Sequence, residues 1–267
     1  MSEADGLHST DYRLGFHKPI GSAWQPVIYS AVNINGTRYA VLEGCILIGT
    51  VEEQDKLVDR IRQQSNSEVF TDPDFVMQGG AIKGGSYRWP NGRVPYVISG
   101  SLLNKQRIED AISHWNGLAT KIRLVARTNE KDWVEFVPGP GCASYVGRRG
   151  GRQEIVIGDA CSAGNVMHEI GHCVGFYHEQ SRSDRDQHVQ IEWANVNPTM
   201  RHNFNQENSV NLGAYDFGSI MHYPATAFSV NGQPTIVPRQ PLPPGINMGQ
   251  RNGLSSGDVA AVQQLYP

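Results

Sequence analysis

Three histidines and a glutamate are spaced to suit a metal site in the stretch HEIGHCVGFYH. His168 and His172 are four residues apart, so a helix would place both imidazoles on one face, close enough to share one metal ion. Glu169 would lie about one helical step away, within reach of a water on that metal. Gly175 suits a helix end in the left-handed conformation, after which the chain can turn and bring His178 back as a third ligand.

Three protein nitrogens would leave the fourth position of a zinc ion open, which is characteristic of catalytic zinc sites. Zinc lowers the pKa of bound water to about 7, and Glu169 would take its proton as it attacks a peptide carbonyl. The HExxH pattern alone is a moderate signal, but HExxHxxGxxH also requires a glycine and a third histidine at matching offsets. The spacing therefore predicts one catalytic Zn²⁺ and hydrolysis of peptide bonds.

These motifs and two others resemble the astacin family of metzincin zinc metallopeptidases. Downstream of the histidines, SIMHY (219–223) is similar to the family's Met-turn, and GGAIKGGSYRWPNGRVPYVI (79–98) is similar to the start of its mature domain. The resemblance covers residues 80–267. It implies an α+β, two-lobed zincin catalytic domain with a twisted mixed sheet and a long zinc-binding helix, preceded by a pro-segment over residues 1–79.

The resemblance also implies a role for each matching residue. The zinc ligands would be His168, His172 and His178, with Glu169 as the general base. Met221 would lie beneath the zinc. Tyr223 would be a switchable extra ligand that can instead donate a hydrogen bond to the oxyanion. Glu179 would meet the new N-terminus formed near Gly80 on activation.

A second group of residues matches the substrate-binding edge of the family. The segment GCASYVG resembles the edge strand along which a substrate lies as an added strand, so Ala143, Ser144 and Tyr145 would contact the substrate backbone. Cys142 and Cys161 match a family disulfide. The second common disulfide of the family has no matching cysteines in this sequence.

Cys45 stands at a position of special interest in the pro-segment. Astacin pro-segments place an aspartate of an FxGD motif on the zinc, and the matching stretch here is LEGC (42–45). A thiolate is a good zinc ligand at about 2.3 Å, so Cys45 would fill the fourth position and keep the enzyme latent, as in the cysteine switch of matrixins. The alternatives are a disulfide with Cys173 and a simple packing role.

The sequence around these motifs predicts several elements. Asn35-Gly36 suits a type I′ turn between two strands, and residues 51–64 have helical spacing. Residues 65–85 resemble a linker, with a boundary near Gly79 and Gly80. Asn104 is a candidate cap for a helix over 105–119, and Ser255 or Ser256 for a helix near the C-terminus.

The composition of the chain bears on which partners and which cellular compartment we expect. A net charge of −3 gives no electrostatic footprint for nucleic acid, and no apolar run is long enough to span a membrane. We expect a secreted monomer that acts on proteins or peptides and has its own pro-segment as inhibitor. No signal peptide is visible, so export by a non-classical route is the alternative. The alternative function is a non-catalytic zinc-binding or inhibitory protein.

Overall fold

The computed structural model describes residues 6–7, 9–17, 24–64, 85–207 and 209–267. Its α-helices are α1 (Val51–Gln64), α2 (Gln106–Gly117), α3 (Ala163–Val174) and α4 (Ser256–Leu265). Its strands are β1 (Tyr12–His17), β2 (Gln25–Ile34), β3 (Thr37–Leu42), β4 (Ile46–Thr50), β5 (Arg93–Ile98), β6 (Arg123–Ala126), β7 (Trp133–Pro138), β8 (Cys142–Ser144), β9 (Arg152–Ile157), β10 (Val189–Ile191) and β11 (Ile236–Pro238). The predicted α+β class is confirmed.

Nine strands form one mixed sheet in the order β1-β2-β3-β4-β8-β9-β7-β5-β6. Strands β1 to β4 are successive antiparallel neighbours, whereas β5, β6, β7 and β9 pair in parallel. The two halves meet where β4 runs parallel to β8, with Ile46 opposite Ser144. The residues before the linker therefore extend the sheet of the remaining chain. Strands β10 and β11 form a separate antiparallel pair.

The predicted hairpin joins β2 to β3. Asn35 has φ 51° and Gly36 has φ 87°, the left-handed conformation that both central positions of a type I′ turn need. The turn sets Ile34 opposite Thr37 and fixes the register of the two strands. Strand β3 then leads directly to Cys45.

Helix α1 confirms the helix predicted over residues 51–64. It buries Val51, Leu57 and Val58 against the strands that precede it. Val51 also belongs to a small hydrophobic cluster with Tyr29, whose described members all precede the linker. Strands β1 to β4 and α1 thus have apolar packing of their own.

Helix α2 differs from its prediction at both ends. It begins at Gln106, and its N-cap is Lys105 without a side-chain cap. The prediction of Asn104 as the cap is wrong because Asn104 has φ 45°, whereas an N-cap residue adopts extended backbone angles. The helix ends at Gly117, yet its predicted inner face is correct, since Ile108, Ile112 and Trp115 are buried.

Helix α3 carries the first two histidines through the core. A capping box opens it: the Ser162 hydroxyl accepts from the Asn165 amide, and the Asn165 side chain accepts in return. Gly175 ends it with φ 121°, as predicted. The Trp115 indole of α2 donates to the Met167 carbonyl at 3.1 Å and fixes the two helices against each other. The helix is therefore a rigid base for the histidines.

The Cys142–Cys161 disulfide is present and connects β8 to the loop before α3, across 19 residues of sequence. Changing both cysteines to alanine should lower the free energy of unfolding by about 3 kcal/mol, because the cross-link restricts the unfolded chain. Urea denaturation of the intact chain measures this change. An unchanged midpoint with an unchanged slope would show that the bridge does not contribute to stability.

The predicted linker lies largely outside the described residues, and so does the predicted boundary at Gly79 and Gly80. In the part of the chain that the structure describes, no helix has the length and apolar character needed to cross a bilayer.

Candidate metal centre and active site

Four side chains converge on one point where α3 packs beside β8. His168 and His172 lie one turn apart on α3, and the chain reverses at Gly175 to bring back His178. Cys45 reaches them from the turn between β3 and β4. Its Sγ lies 3.8, 3.4 and 3.3 Å from the Nε2 atoms of the three histidines in sequence order. All four side chains are buried.

The spacing of these atoms fits a tetrahedral zinc ion. Zn–N bonds of about 2.0 Å and a Zn–S bond of about 2.3 Å set ligand atoms about 3.3 to 3.6 Å apart at the corners of a tetrahedron. The Nε2 atoms of His168 and His178 are 3.3 Å apart, and the four ligand atoms all lie within 4.8 Å of one another. Three nitrogens and one sulfur form a donor set typical of zinc.

Each histidine has an acceptor that orients its ring. The Nδ1–H of His168 donates to the Ile220 carbonyl at 2.8 Å, and that of His172 to the Phe176 carbonyl at 2.7 Å. The Nδ1–H of His178 donates to Glu43 Oε2 at 2.5 Å. These bonds leave the Nε2 lone pairs free for a metal. Burial lowers the pKa of all three imidazoles, which keeps them neutral.

Cys45 is placed by a strained turn. Glu43 and Gly44 both have positive φ, and the Cys45 carbonyl accepts from the Ser144 amide at 2.9 Å. Burial raises the pKa of the thiol, and the charges of Glu169 and Glu43 act in the same direction. A metal cation would offset these effects and favour the thiolate. The alternative, a disulfide between Cys45 and Cys173, is not formed. Both cysteines are free and buried.

Glu169 and Tyr223 lie beside the four ligands. Glu169 is buried, and no hydrogen-bond donor of the described residues reaches its Oε2. Burial raises the pKa of its carboxyl, while Arg251 acts in the opposite direction. Tyr223 packs on the His178 ring and donates to the Glu43 carbonyl at 2.6 Å. Burial raises the pKa of this phenol, so it stays a neutral donor.

Met221 lies directly beneath α3. A Cβ atom at Gly171 would come within 2.5 Å of Met221 Sδ, so a larger residue there would displace the Met221 side chain. The turn around Met221 is held by two residues that the sequence analysis missed. Asp258 accepts from the Ser219 hydroxyl at 2.6 Å, and Arg251 Nη1 donates to the Ile220 carbonyl at 2.9 Å. The anchor of the turn thus comes from the C-terminal residues.

Glu179 is partly buried next to the Met-turn. Its Oε1 accepts from the Asp216 amide at 2.8 Å and from Arg182 Nη1 at 3.0 Å. Burial raises the pKa of its carboxyl to about 7, although Arg182 opposes this change. The predicted start of the mature domain, which would meet Glu179, lies outside the described residues.

Glu43 and Glu207 are two further site residues that the sequence did not reveal. Their buried carboxyl groups contact each other, and burial raises the pKa of both. Glu43 Oε2 already accepts from His178 and from the Ser181 hydroxyl. A proton on one member of the pair would relieve the repulsion between the two carboxyl groups. Neither residue belongs to a sequence motif of the metal site.

Strand β8 lies beside this centre, between β4 and β9 in the sheet. Ala143 and Ser144 lie on it, Tyr145 follows it, and β4 pairs with the side of β8 that faces away from β9.

The fold, the histidine cluster and the turn beneath it define the class of zinc metallopeptidases with HExxHxxGxxH sites. The chain belongs to the astacin family of peptidases, because residues 81–267 match the model of that family.

Similar proteins support this assignment. High choriolytic enzyme 1 of Oryzias latipes is 44% identical over 180 residues, which are 65% of this chain and 65% of that protein. Bone morphogenetic protein 1 of Xenopus laevis is 45% identical over 192 residues, 67% of this chain and 27% of that protein. The chain spans 33% to 65% of the length of the first four curated relatives.

A solved structure shows the same fold. High choriolytic enzyme 1, described as a hatching enzyme zinc-protease from medaka, superposes with a TM-score of 0.64 at 42% sequence identity. The match covers 70% of this chain and 98% of that chain. The prediction of an astacin-like zincin fold is therefore confirmed.

Proposed function

We propose that this chain is a zinc-dependent endopeptidase held in a latent form by its first 79 residues. The observation that carries this proposal is the convergence of three neutral histidines on one point, with Glu169 beside them and family membership over 81–267. The substrates are proteins or peptides. Secretion fits the disulfide, which persists in oxidising compartments.

His168, His172 and His178 would hold the zinc ion. When bound, the ion supplies Lewis-acid polarisation of the peptide carbonyl and lowers the pKa of water. Glu169 accepts the proton of the attacking water and passes it to the leaving amine. The buried environment that raises the pKa of this carboxyl suits it to both transfers. Tyr223 donates a hydrogen bond to the oxyanion of the tetrahedral intermediate.

Latency rests on three contacts of the pro-segment. Cys45 would hold the metal together with the three histidines, and the Glu43 carbonyl accepts a hydrogen bond from the Tyr223 hydroxyl. Strand β4 pairs with the side of β8 to which a substrate strand would otherwise pair. The pro-segment thereby occupies the metal, the oxyanion donor and the substrate edge at once, and activation requires a cut in the linker.

Metal removal tests the proposed activity. After limited proteolysis of the linker, the chain should hydrolyse a casein-type substrate and an unstructured peptide. A zinc chelator should abolish this hydrolysis, and added Zn²⁺ should restore it. Hydrolysis that persists without metal, or a processed chain that retains zinc but cleaves no peptide, would contradict the proposal. The second result would favour a non-catalytic zinc-binding protein.

Replacement of Tyr223 by phenylalanine should lower the kcat of the processed chain about a hundredfold, because one oxyanion donor is lost. The KM should change little, since the hydroxyl acts in the transition state. Steady-state kinetics with a fluorogenic peptide measures both constants. The metal content of the variant is the control, and an unchanged kcat would exclude the proposed role.

A further inference from the structure

The acceptors of the three histidines do not come from the same part of the chain. Those of His168 and His172 are the carbonyls of Ile220 and Phe176, which belong to the matched family domain. The acceptor of His178 is Glu43, which belongs to the proposed pro-segment. Activation would therefore remove the acceptor of one zinc ligand and leave those of the other two in place.

The loss of this acceptor would weaken the metal site. A hydrogen-bonded acceptor fixes the ring of a metal-binding histidine and makes its ligating nitrogen more basic. A buried N–H without an acceptor is also unfavourable by itself. The Ser181 hydroxyl, which donates to the same Glu43 oxygen at 3.0 Å, would lose its acceptor at the same time. The Nδ1–H of His178 and the Ser181 hydroxyl would then both lack an acceptor at the position that Glu43 had occupied.

Glu207 is the carboxyl group next to that position. Its side chain contacts the Glu43 carboxyl. Its backbone is tied down on both sides, because the Glu207 amide donates to the Ser181 carbonyl at 2.6 Å and the Ser209 amide donates to the Glu207 carbonyl at 2.8 Å. The contact that holds the Glu207 backbone beside Ser181 therefore does not involve the pro-segment.

We propose that Glu207 replaces Glu43 as the hydrogen-bond acceptor of His178 and Ser181 in the activated enzyme. Glu207 is then a positioning residue, which acts on the metal through His178. A carboxyl group has an acceptor oxygen in either protonation state, so the exchange does not depend on where its proton goes. The inference rests on the proposed function in that residues 1–79 must leave the site.

The exchange explains why the chain keeps two carboxyl groups in contact in a buried place, where only one can be ionised at low cost. In the latent form Glu43 orients His178, and the Glu207 side chain lies beside Glu43. In the activated form Glu207 occupies the place of Glu43. The zinc ligand keeps a carboxyl acceptor throughout, and the metal is retained during activation.

Zinc affinity, measured by competition with a chelator before and after linker cleavage, tests the exchange. Glu207→Ala should raise the zinc Kd of the processed chain about tenfold and change that of the intact chain much less. Glu43→Ala should show the opposite pattern, because Glu43 is absent after the pro-segment is removed. Glu207→Gln keeps an acceptor oxygen and should recover most of the affinity. Glu109→Gln, on the exposed side of α2, is the matched control.

An unchanged zinc Kd in the processed Glu207→Ala chain would overturn the exchange. The same holds if the variant alters only the preference between lysine and glutamate in substrate peptides, since Glu207 would then face the substrate. Failure of the proposed function would give a different result. A processed chain that cleaves no peptide, yet shows the expected pattern of zinc affinities, would contradict the endopeptidase and support the exchange.

Discussion

Cys45→Ala is expected to release peptidase activity from the intact, uncleaved chain. Structural zinc sites with four ligands bind with about 10 to 16 kcal/mol, which corresponds to about 2.5 to 4 kcal/mol per ligand. Loss of this contribution should raise the fraction of molecules whose site is free of the pro-segment, and with it the activity, about 60- to 700-fold. The contacts of Glu43 with His178 and Tyr223 remain, so the variant should stay less active than the processed chain.

The second free cysteine provides the matched control. Cys173 is also buried, but it lies in α3 and is not one of the four ligand candidates. Cys173→Ala should therefore remain latent. A thiol-modifying reagent should activate the parent and the Cys173→Ala chain, but not Cys45→Ala. If Cys45→Ala is as latent as the parent and the reagent activates neither, Cys45 does not act as the switch.

Glu169→Gln should lower the kcat/KM of the processed chain by about 10² to 10⁴, the range for loss of a general base. The amide has the same shape as the carboxyl but cannot take a proton from water. Zinc content should stay the same, because Glu169 is not among the ligand candidates. Fluorogenic peptide hydrolysis, with metal analysis of the same sample, measures both quantities.

Two comparisons make this result specific. Glu109→Gln removes an exposed carboxyl of α2 and should leave kcat/KM unchanged. The pH profile of the parent should show a loss of activity at low pH, where Glu169 is protonated, and the residual activity of Glu169→Gln should lack that limb. Activity of Glu169→Gln near the parent level would exclude its role as base.

Local sequence patterns predicted those parts of the site that adjacent residues determine. The four-residue spacing of His168 and His172 and the glycine at 175 required only helical geometry. The Asn35-Gly36 turn followed from two residues that tolerate positive φ. Resemblance to a family placed Cys45 opposite the histidines, although more than a hundred residues separate them in the sequence. No local pattern could have done so.

The missed residues act across long sequence distances. Glu43, Glu207, Arg251 and Asp258 each contribute through one carboxyl or guanidinium group, whose partner lies in another element. Single polar residues have no periodicity, so the sequence gives no sign that they are buried. The sequence analysis also missed strand β1. Its partner, β2, begins only after residues 18–23. Asn104 shows that a suitable residue type does not guarantee the backbone angles of a cap.

The junction between β4 and β8 has a mechanical consequence. One residue pair, Ile46 with Ser144, is the whole strand-to-strand register at this junction, whereas the neighbouring pairings on either side are longer. The β4–β8 pairing is therefore the shortest in this part of the sheet. Release of strands β1 to β4 after a cut in the linker would break this pairing and would also remove apolar residues such as Val41 and Ile46 from the core that they share with α3. The side of β8 that faces β4 would then become an open strand edge.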